Sequence, residues 1–254
     1  MHVEAGLRSY DRTMPEELNR LVVGVLADLH CAATQRNVDN LLREGVAAER
    51  IRLTGNTIVE ATALAVRQAR ARWPGPGDRG PFALATIHRP ENTDDAARLR
   101  CILAELAELP VPVVMPVHPR TRARVAEFGL AELLDRLVTI GPVDHEEFLG
   151  LADRAVLLVS DSGGVQEECT VLKKPLIVVR NSTERPESIE AGFAHLVRPG
   201  PEIGRLAGEL LADAGLSRRL RRTASPYGTA TAAARIVAET RQLVERTAAR
   251  TVAS

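Results

Sequence analysis

The segment Ser160-Asp161-Ser162-Gly163-Gly164-Val165-Gln166-Glu167-Glu168 sets a hydroxyl, two adjacent glycines and an acid within a short span. It follows the apolar run 155–159, so it stands where a strand ends and a helix begins. Unpaired backbone N–H groups at such a helix start suit phosphate oxygens. Gly163 and Gly164 let the backbone approach a ligand, Ser162 adds a hydroxyl donor, and Glu168 is placed to accept from ribose hydroxyls. A tight turn with no ligand uses the same residues, because a glycine-rich turn alone is a weak motif.

The same kind of position recurs. In Thr86-Ile87-His88-Arg89-Pro90-Glu91-Asn92, a strand end carries His88 and Arg89 as two donors toward a pyrophosphate, with Glu91 and Asn92 behind them. His118 stands before Pro119 and Arg120 at the next strand end. Arg180 follows another apolar run, and Thr183, Glu184 and Arg185 precede a helix that Pro186 can open. Each has an ordinary reading as a surface histidine or a helix cap. Three or four of them at one edge of one sheet suggest a cradle for a nucleotide diphosphate. Glu4, Arg8, Glu16 and Glu17 form a separate group near the front of the chain. A carboxylate facing a negatively charged sugar nucleotide has its pKa raised when desolvated, which suits proton transfer. Acids in a first helical turn, as Glu16 and especially Glu17, are also favoured by the macrodipole without any catalytic purpose.

The positioning elements show in the apolar spacing. Pro15 opens a helix whose Leu18, Leu21, Val22, Val25, Leu26 and Leu29 make one stripe. A short strand near 31–34 leads to a helix capped by Thr34 and stopped by Gly45; a strand at 51–53 turns at Thr54-Gly55-Asn56 into a helix ending near Arg72. The Pro/Gly run 73–81 reads as a linker or long loop. Strands are then expected near 82–87, 112–118, 136–141, 155–160, 175–179 and 194–197, alternating with helices, which means a parallel doubly wound sheet. A last helix from about 230 to 250 is expected to pack on the first lobe. This divides the chain into a lobe of 1–72 with 230–254 and a nucleotide-binding lobe of 73–229. With two or three strands, the first lobe reads as incomplete, a Rossmann-like domain lacking its front.

Composition narrows the classes. The 254 residues hold 33 basic and 33 acidic side chains, so bulk charge draws the chain toward neither nucleic acid nor an anionic membrane. Both lysines are adjacent, Lys173 and Lys174; all other cations are arginine, a pattern that reads as codon bias. Cys31, Cys101 and Cys169 lack metal-ligand spacing, so no metal and no disulfide framework is expected, and a reducing cytoplasm fits. No apolar run approaches the roughly 20 residues needed to span a bilayer.

Taken together, HVEAGLRS, PEE-x-NR, TGNT, HRPEN, SDSGGVQEE, KPLIVVR-x-x-TERPE and PYG occur in an order and spacing that closely resemble the non-hydrolysing UDP-N-acetylglucosamine 2-epimerases. The resemblance covers essentially the whole chain. It implies an α/β, GT-B-like fold of two Rossmann-like lobes with the UDP-sugar between them, a homodimer, and no cofactor. It also implies reversible inversion at C2 of UDP-GlcNAc, through elimination and re-addition of UDP. By the family pattern Glu4 and Glu16 transfer protons and His88 assists departure and return of UDP. Ser162 and Gly163 hold phosphate, Glu168 the ribose, and Arg180, Glu184 and Arg185 the nucleotide or sugar. Three departures stand out. Family members carry further residues ahead of HVEAG, including an acid that takes part in catalysis; many read HRRE where this chain has His88-Arg89-Pro90-Glu91, a position tied in some to regulation; and their PYGDG is here Pro226-Tyr227-Gly228-Thr229-Ala230. A GT-B glycosyltransferase or an inactive sugar-nucleotide-binding remnant remain as rivals.

Overall fold

The structure is a computed structural model that describes residues 1–12, 14–72 and 80–253. The chain divides into a smaller unit, 1–61 with 225–254, and a larger unit, 62–224.

In the smaller unit the elements run β1 (His2–Ala5), α1 (Pro15–Leu26), β2 (His30–Ala32), α2 (Gln35–Arg43), β3 (Ile51–Leu53) and α3 (Ile58–Arg72), which continues into the larger unit. The strands form a parallel three-stranded sheet in the order β1-β2-β3. Its core is small: Ala5, Ala32, Leu41 and Ile51, with Val38 and Val46 against them. Thr34 caps α2 in a reciprocal box, accepting from the Asn37 N–H while the Asn37 side chain accepts from the Thr34 N–H. Gly45 follows with φ +83°, a left-handed stop.

Helix α1 is shorter than the apolar spacing suggests. It ends at Leu26, because Ala27 takes extended backbone, and Leu29, whose carbonyl accepts from the His2 N–H, lies in the turn into β2. Leu18, Val22, Val25 and Leu26 on its stripe are exposed.

The motifs TGNT and PYG meet in this unit. The Asn56 N–H donates to the Tyr227 carbonyl at 3.1 Å, and the Asn56 side chain accepts from the Ile58 N–H at the start of α3. The last helix of the chain (Ala232–Ala253) is tied here too, by Arg52 to Glu239 at 3.0 Å and by the Ala233 N–H to Glu60 at 2.9 Å.

The larger unit contains β4 (Ala83–Thr86), α4 (Pro90–Thr93), α5 (Ala96–Ala107), β5 (Val113–Pro116), α6 (Pro119–Glu127), α7 (Ala131–Asp135), β6 (Val138–Ile140), α8 (His145–Arg154) and β7 (Leu157–Ser160). It continues with α9 (Gly163–Leu172), β8 (Leu176–Val179), α10 (Pro186–Glu190), β9 (Ala194–Val197), α11 (Glu202–Ala212) and α12 (Leu216–Arg222); the helix after it, 232–253, is α13. All six strands are parallel in the order β6-β5-β4-β7-β8-β9, the doubly wound Rossmann order. Side chains of one strand go alternately to two cores. Ala83, Ala85, Leu157, Val159, Ile177 and Val179 enter one, while Leu84, Leu158, Leu176 and Val178 enter the other. That is why these strands read as unbroken apolar runs.

The division between units falls inside α3. Val66, in its later turns, packs in a core of the larger unit, although the sequence reading carries the first lobe to residue 72. The Pro/Gly run expected as a linker lies, over 73–79, outside the described residues. Among the described residues no helix is long and apolar enough to cross a membrane.

Candidate functional site

In a doubly wound sheet the strand order reverses once, and the loops leaving the two strands there diverge to opposite faces and open a crevice. Here the reversal lies between β4 and β7. Their register pairs Thr86 with Ser160, so the loops carrying His88 and Ser162 start side by side.

Asp161 is the hub of that crevice. Its carboxylate is completely buried and accepts from the His88 N–H at 3.1 Å, the Arg89 N–H at 2.9 Å and the Asn92 side-chain amide at 3.1 Å. Asn92 donates also to the Val179 carbonyl at 2.9 Å, joining the end of β8. The His88 ring lies with Nδ1 3.4 Å from Asp161 Oδ1. Burial lowers the His88 pKa; Asp161 opposes this, Arg89 and His118 reinforce it, and the net direction is down. His88 is therefore neutral at pH 7, with Nδ1 toward Asp161.

His118, the N-cap of α6, stands near His88, with ring centroids 6.0 Å apart, and its Nδ1 accepts from the Arg120 N–H. The Thr121 hydroxyl donates to the Ile87 carbonyl at 2.6 Å, anchoring this strand end to the one beside it.

Ser162 is the N-cap of α9, and its hydroxyl makes no capping bond. A Cβ on Gly163 would lie 2.7 Å from an Arg185 guanidinium nitrogen and 3.1 Å from a Glu184 carboxylate oxygen, so a larger residue there would have to displace the Arg185 guanidinium. Gly164 is less constrained: a Cβ there would make only an ordinary contact with Glu168. The guanidinium under Gly163 belongs to a buried charged cluster. Arg185 Nη1 donates to Glu184 at 2.5 Å, Arg185 Nε lies 3.1 Å from Glu167, and Arg180 Nη1 donates to Glu184 at 2.9 Å. Arg180 Nε is 3.7 Å from Glu91. Burial alone raises the Glu184 carboxyl; Arg185 and Arg180 reverse this and hold it below its usual range. The Thr183 hydroxyl donates to Gln166 and accepts from the Arg185 N–H, locking the segment before α10 onto α9. Glu168, nearly buried, has one oxygen 2.8 Å from Nε2 of the more exposed His145 at the start of α8.

The structure thus brings together His88, Arg89, Glu91, Asn92, His118, Ser162, Gly163, Gly164, Glu168, Arg180, Thr183, Glu184 and Arg185 along one edge of one sheet. Sequence reasoning gave no role to Asp161, Glu167, Gln166 and His145. For Asp161 the signal was weak: it directly follows a buried strand, and a carboxylate buried there needs several donors.

Glu4, Arg8, Glu16 and Glu17 belong to the smaller unit. Glu4 is the extra residue of a β-bulge, since Val3 pairs with Cys31 and Ala5 with Ala32 while Glu4 is skipped. Its φ is +61°, a conformation that favours glycine, and the side chain is exposed. Gly6 follows with φ +82°, and a Cβ there would meet the Asn37 carbonyl oxygen at 2.2 Å. Arg8 is buried, and its Nε and Nη2 donate to Glu44, both at 2.7 Å, while Nη1 donates to the Leu7 carbonyl. Three of its five N–H donors are committed within the unit.

Glu16 is exposed, whereas Glu17 is 1% exposed and accepts from the Ser9 N–H and hydroxyl and the Tyr10 N–H. Burial raises the Glu17 pKa, but these hydrogen bonds and Arg20 outweigh it and the net direction is down. The unfolded state then takes up the proton first as pH falls. The stabilisation is complete above the unfolded value near 4.5 and is lost as pH drops through the depressed folded value. We expect Glu17→Gln to cost about 1–3 kcal/mol at pH 7. The gap from the unsubstituted chain in urea denaturation should narrow toward pH 3.

A switch-point crevice lined by a helix N-terminus and basic side chains defines the class of nucleotide-binding α/β proteins. Comparison with known proteins narrows it. The family model described as UDP-N-acetylglucosamine 2-epimerase matches residues 1–241. The UDP-N-acetylglucosamine 2-epimerase of Methanocaldococcus jannaschii is 38% identical over 249 residues, covering 93% of this chain and 67% of the relative. That of Bacillus subtilis is 39% identical over 248 residues, covering 94% and 64%. The crystal structure of the M. jannaschii enzyme in complex with UDP-GlcNAc and UDP superposes with a TM-score of 0.84 at 37% identity, over 95% of this chain and 68% of that one. The fold is therefore GT-B-like α/β, and this chain belongs to the UDP-N-acetylglucosamine 2-epimerase family. It spans about two thirds of the length of the curated relatives it matches.

Proposed function

We propose that the chain catalyses reversible inversion at C2 of UDP-N-acetylglucosamine, giving UDP-N-acetylmannosamine. A carboxylate removes the C2 proton, the C1–O bond breaks with its electron pair leaving on UDP, and a C1=C2 glucal forms. Protonation of C2 from the opposite face and return of UDP to C1 complete the change. The C2 proton is too weakly acidic to leave unless loss of the diphosphate is coupled to its removal, so the leaving charge must be stabilised as it develops. Ser162 and the backbone N–H groups of Gly163 and Gly164 are proposed to hold the diphosphate, Glu168 the ribose, and neutral His88 to donate a hydrogen bond to the departing oxygen. Glu4 and Glu16 are proposed to exchange the C2 proton.

The observation that carries this reading is Glu4 itself. A non-glycine residue kept in a left-handed bulge, with its carboxylate exposed, is a local cost that folding alone does not require. Family membership supplies the substrate class. A cytoplasmic homodimer serving cell-envelope polysaccharide synthesis is the corresponding setting, and the exposed apolar stripe of α1 is consistent with a subunit contact. The test is incubation with UDP-GlcNAc in deuterium oxide. Label entering C2 of both epimers is expected. UDP binding without label would support the inactive remnant, and glycosyl transfer to an acceptor without label would support a glycosyltransferase.

A further inference from the structure

We infer that the larger unit carries an anion site for a phosphorylated small molecule, on the edge of its sheet opposite the switch-point loops. A cleft of about 660 Å³ is enclosed by α3, the ends of α8 and α9, and α12. Lys173 and Lys174 lie just ahead of β8 and Asp153 just ahead of β7, so the cleft opens at the amino ends of the strands. Its floor is apolar, from Val66 and Leu172, and its walls carry Arg67, Arg70, Lys173, Lys174 and Arg221 against the single carboxylate of Asp153.

That carboxylate is already used. Arg70 grips it with two hydrogen bonds of 2.7 Å. Lys173 is held as well: its Nζ donates to the Thr223 carbonyl at 2.7 Å and stands 5.2 Å over the Phe193 ring. Lys174, Arg67 and Arg221 have no such partner among the described residues. Helix C-termini attract cations, but each is worth roughly half a negative charge, and the ends of α3, α8, α9 and α12 together leave the cleft positive. Desolvation pushes the Lys174 ammonium below its usual pKa, and Arg221 and Arg70 push it the same way, with Asp153 opposing. Converging cations that repel one another above an apolar floor match a small molecule with a multiply charged phosphate group and an apolar body.

The scarcity of lysine makes the test local. The whole chain is treated with an acetylating reagent, with inorganic pyrophosphate as the probe or with sodium chloride of equal ionic strength, and Lys174 acetylation is followed by peptide mass spectrometry. At pyrophosphate several times its dissociation constant, acetylation of Lys174 should slow by about fivefold relative to chloride. The protection should disappear in an Arg67→Met, Arg221→Met double variant, whose changed side chains are exposed and whose unfolding midpoint is checked alongside. Equal rates in pyrophosphate and chloride would overturn the site, and so would protection that persists unchanged in the double variant. Should that variant fail to fold, the comparison in the unsubstituted chain decides alone.

Discussion

Glu4→Gln should lose C2 deuterium exchange by about a thousandfold, in line with removal of a general base, while still binding UDP. Glutamine has the same shape and the same bulge to fill, so the loss would report the carboxylate and not the fold. Glu4→Gly separates the two further. A left-handed L-residue costs about 1–2 kcal/mol that glycine escapes, and glycine's extra freedom in the unfolded chain takes back about 0.5–1 kcal/mol. The glycine variant should therefore be as stable as the unsubstituted chain or up to about 1.5 kcal/mol more stable, while showing no exchange. Denaturation and label incorporation on the same preparations check this. Exchange near normal in Glu4→Gln would remove Glu4 from the mechanism.

Asp161→Asn should reduce exchange by about a hundredfold and destabilise the larger unit by about 2–3 kcal/mol. Four donor contacts converge on one buried carboxylate, and the substitution turns one acceptor atom into a donor facing them. The His88 to Asn92 loop then loses its fixed relation to Ser162. Asp161 acts through His88, so the signature of its role is a pH shift as well as a loss of rate. Its charge raises the His88 pKa against burial; removing it lets that pKa fall further, and the limb of the pH–rate profile belonging to His88 should move to lower pH. A purely structural role would lower stability and leave the limb in place.

The fold of the larger unit was legible because its inner strands, β4, β5, β7 and β8, are buried on both faces. Runs such as 157–160 and 176–179 carry no alternation to confuse with anything else, and helices between them force parallel pairing. The edge that gathers the site followed from the same pattern. What the sequence withheld was pairing among charges. Arg180, Glu184 and Arg185 read as ligand contacts, and the structure adds that they also pair with one another, which nothing in a linear string shows. Arg8 and Glu44 are separated by 35 intervening positions, and their bidentate contact had no local signal. Exposure of the α1 stripe also had no signal: apolar spacing marks a face that can be buried, and α1 shows that face to solvent. The bulge at Glu4 was equally hidden, since a single-residue register shift leaves composition unchanged.

The proposed activity depends on where a uridine diphosphate binds. A crystal of the chain soaked with UDP should place the diphosphate against the N–H groups that open α9 at Gly163, with the His88 ring beside it. Diphosphate found elsewhere, with the crevice between β4 and β7 occupied only by solvent, would contradict it.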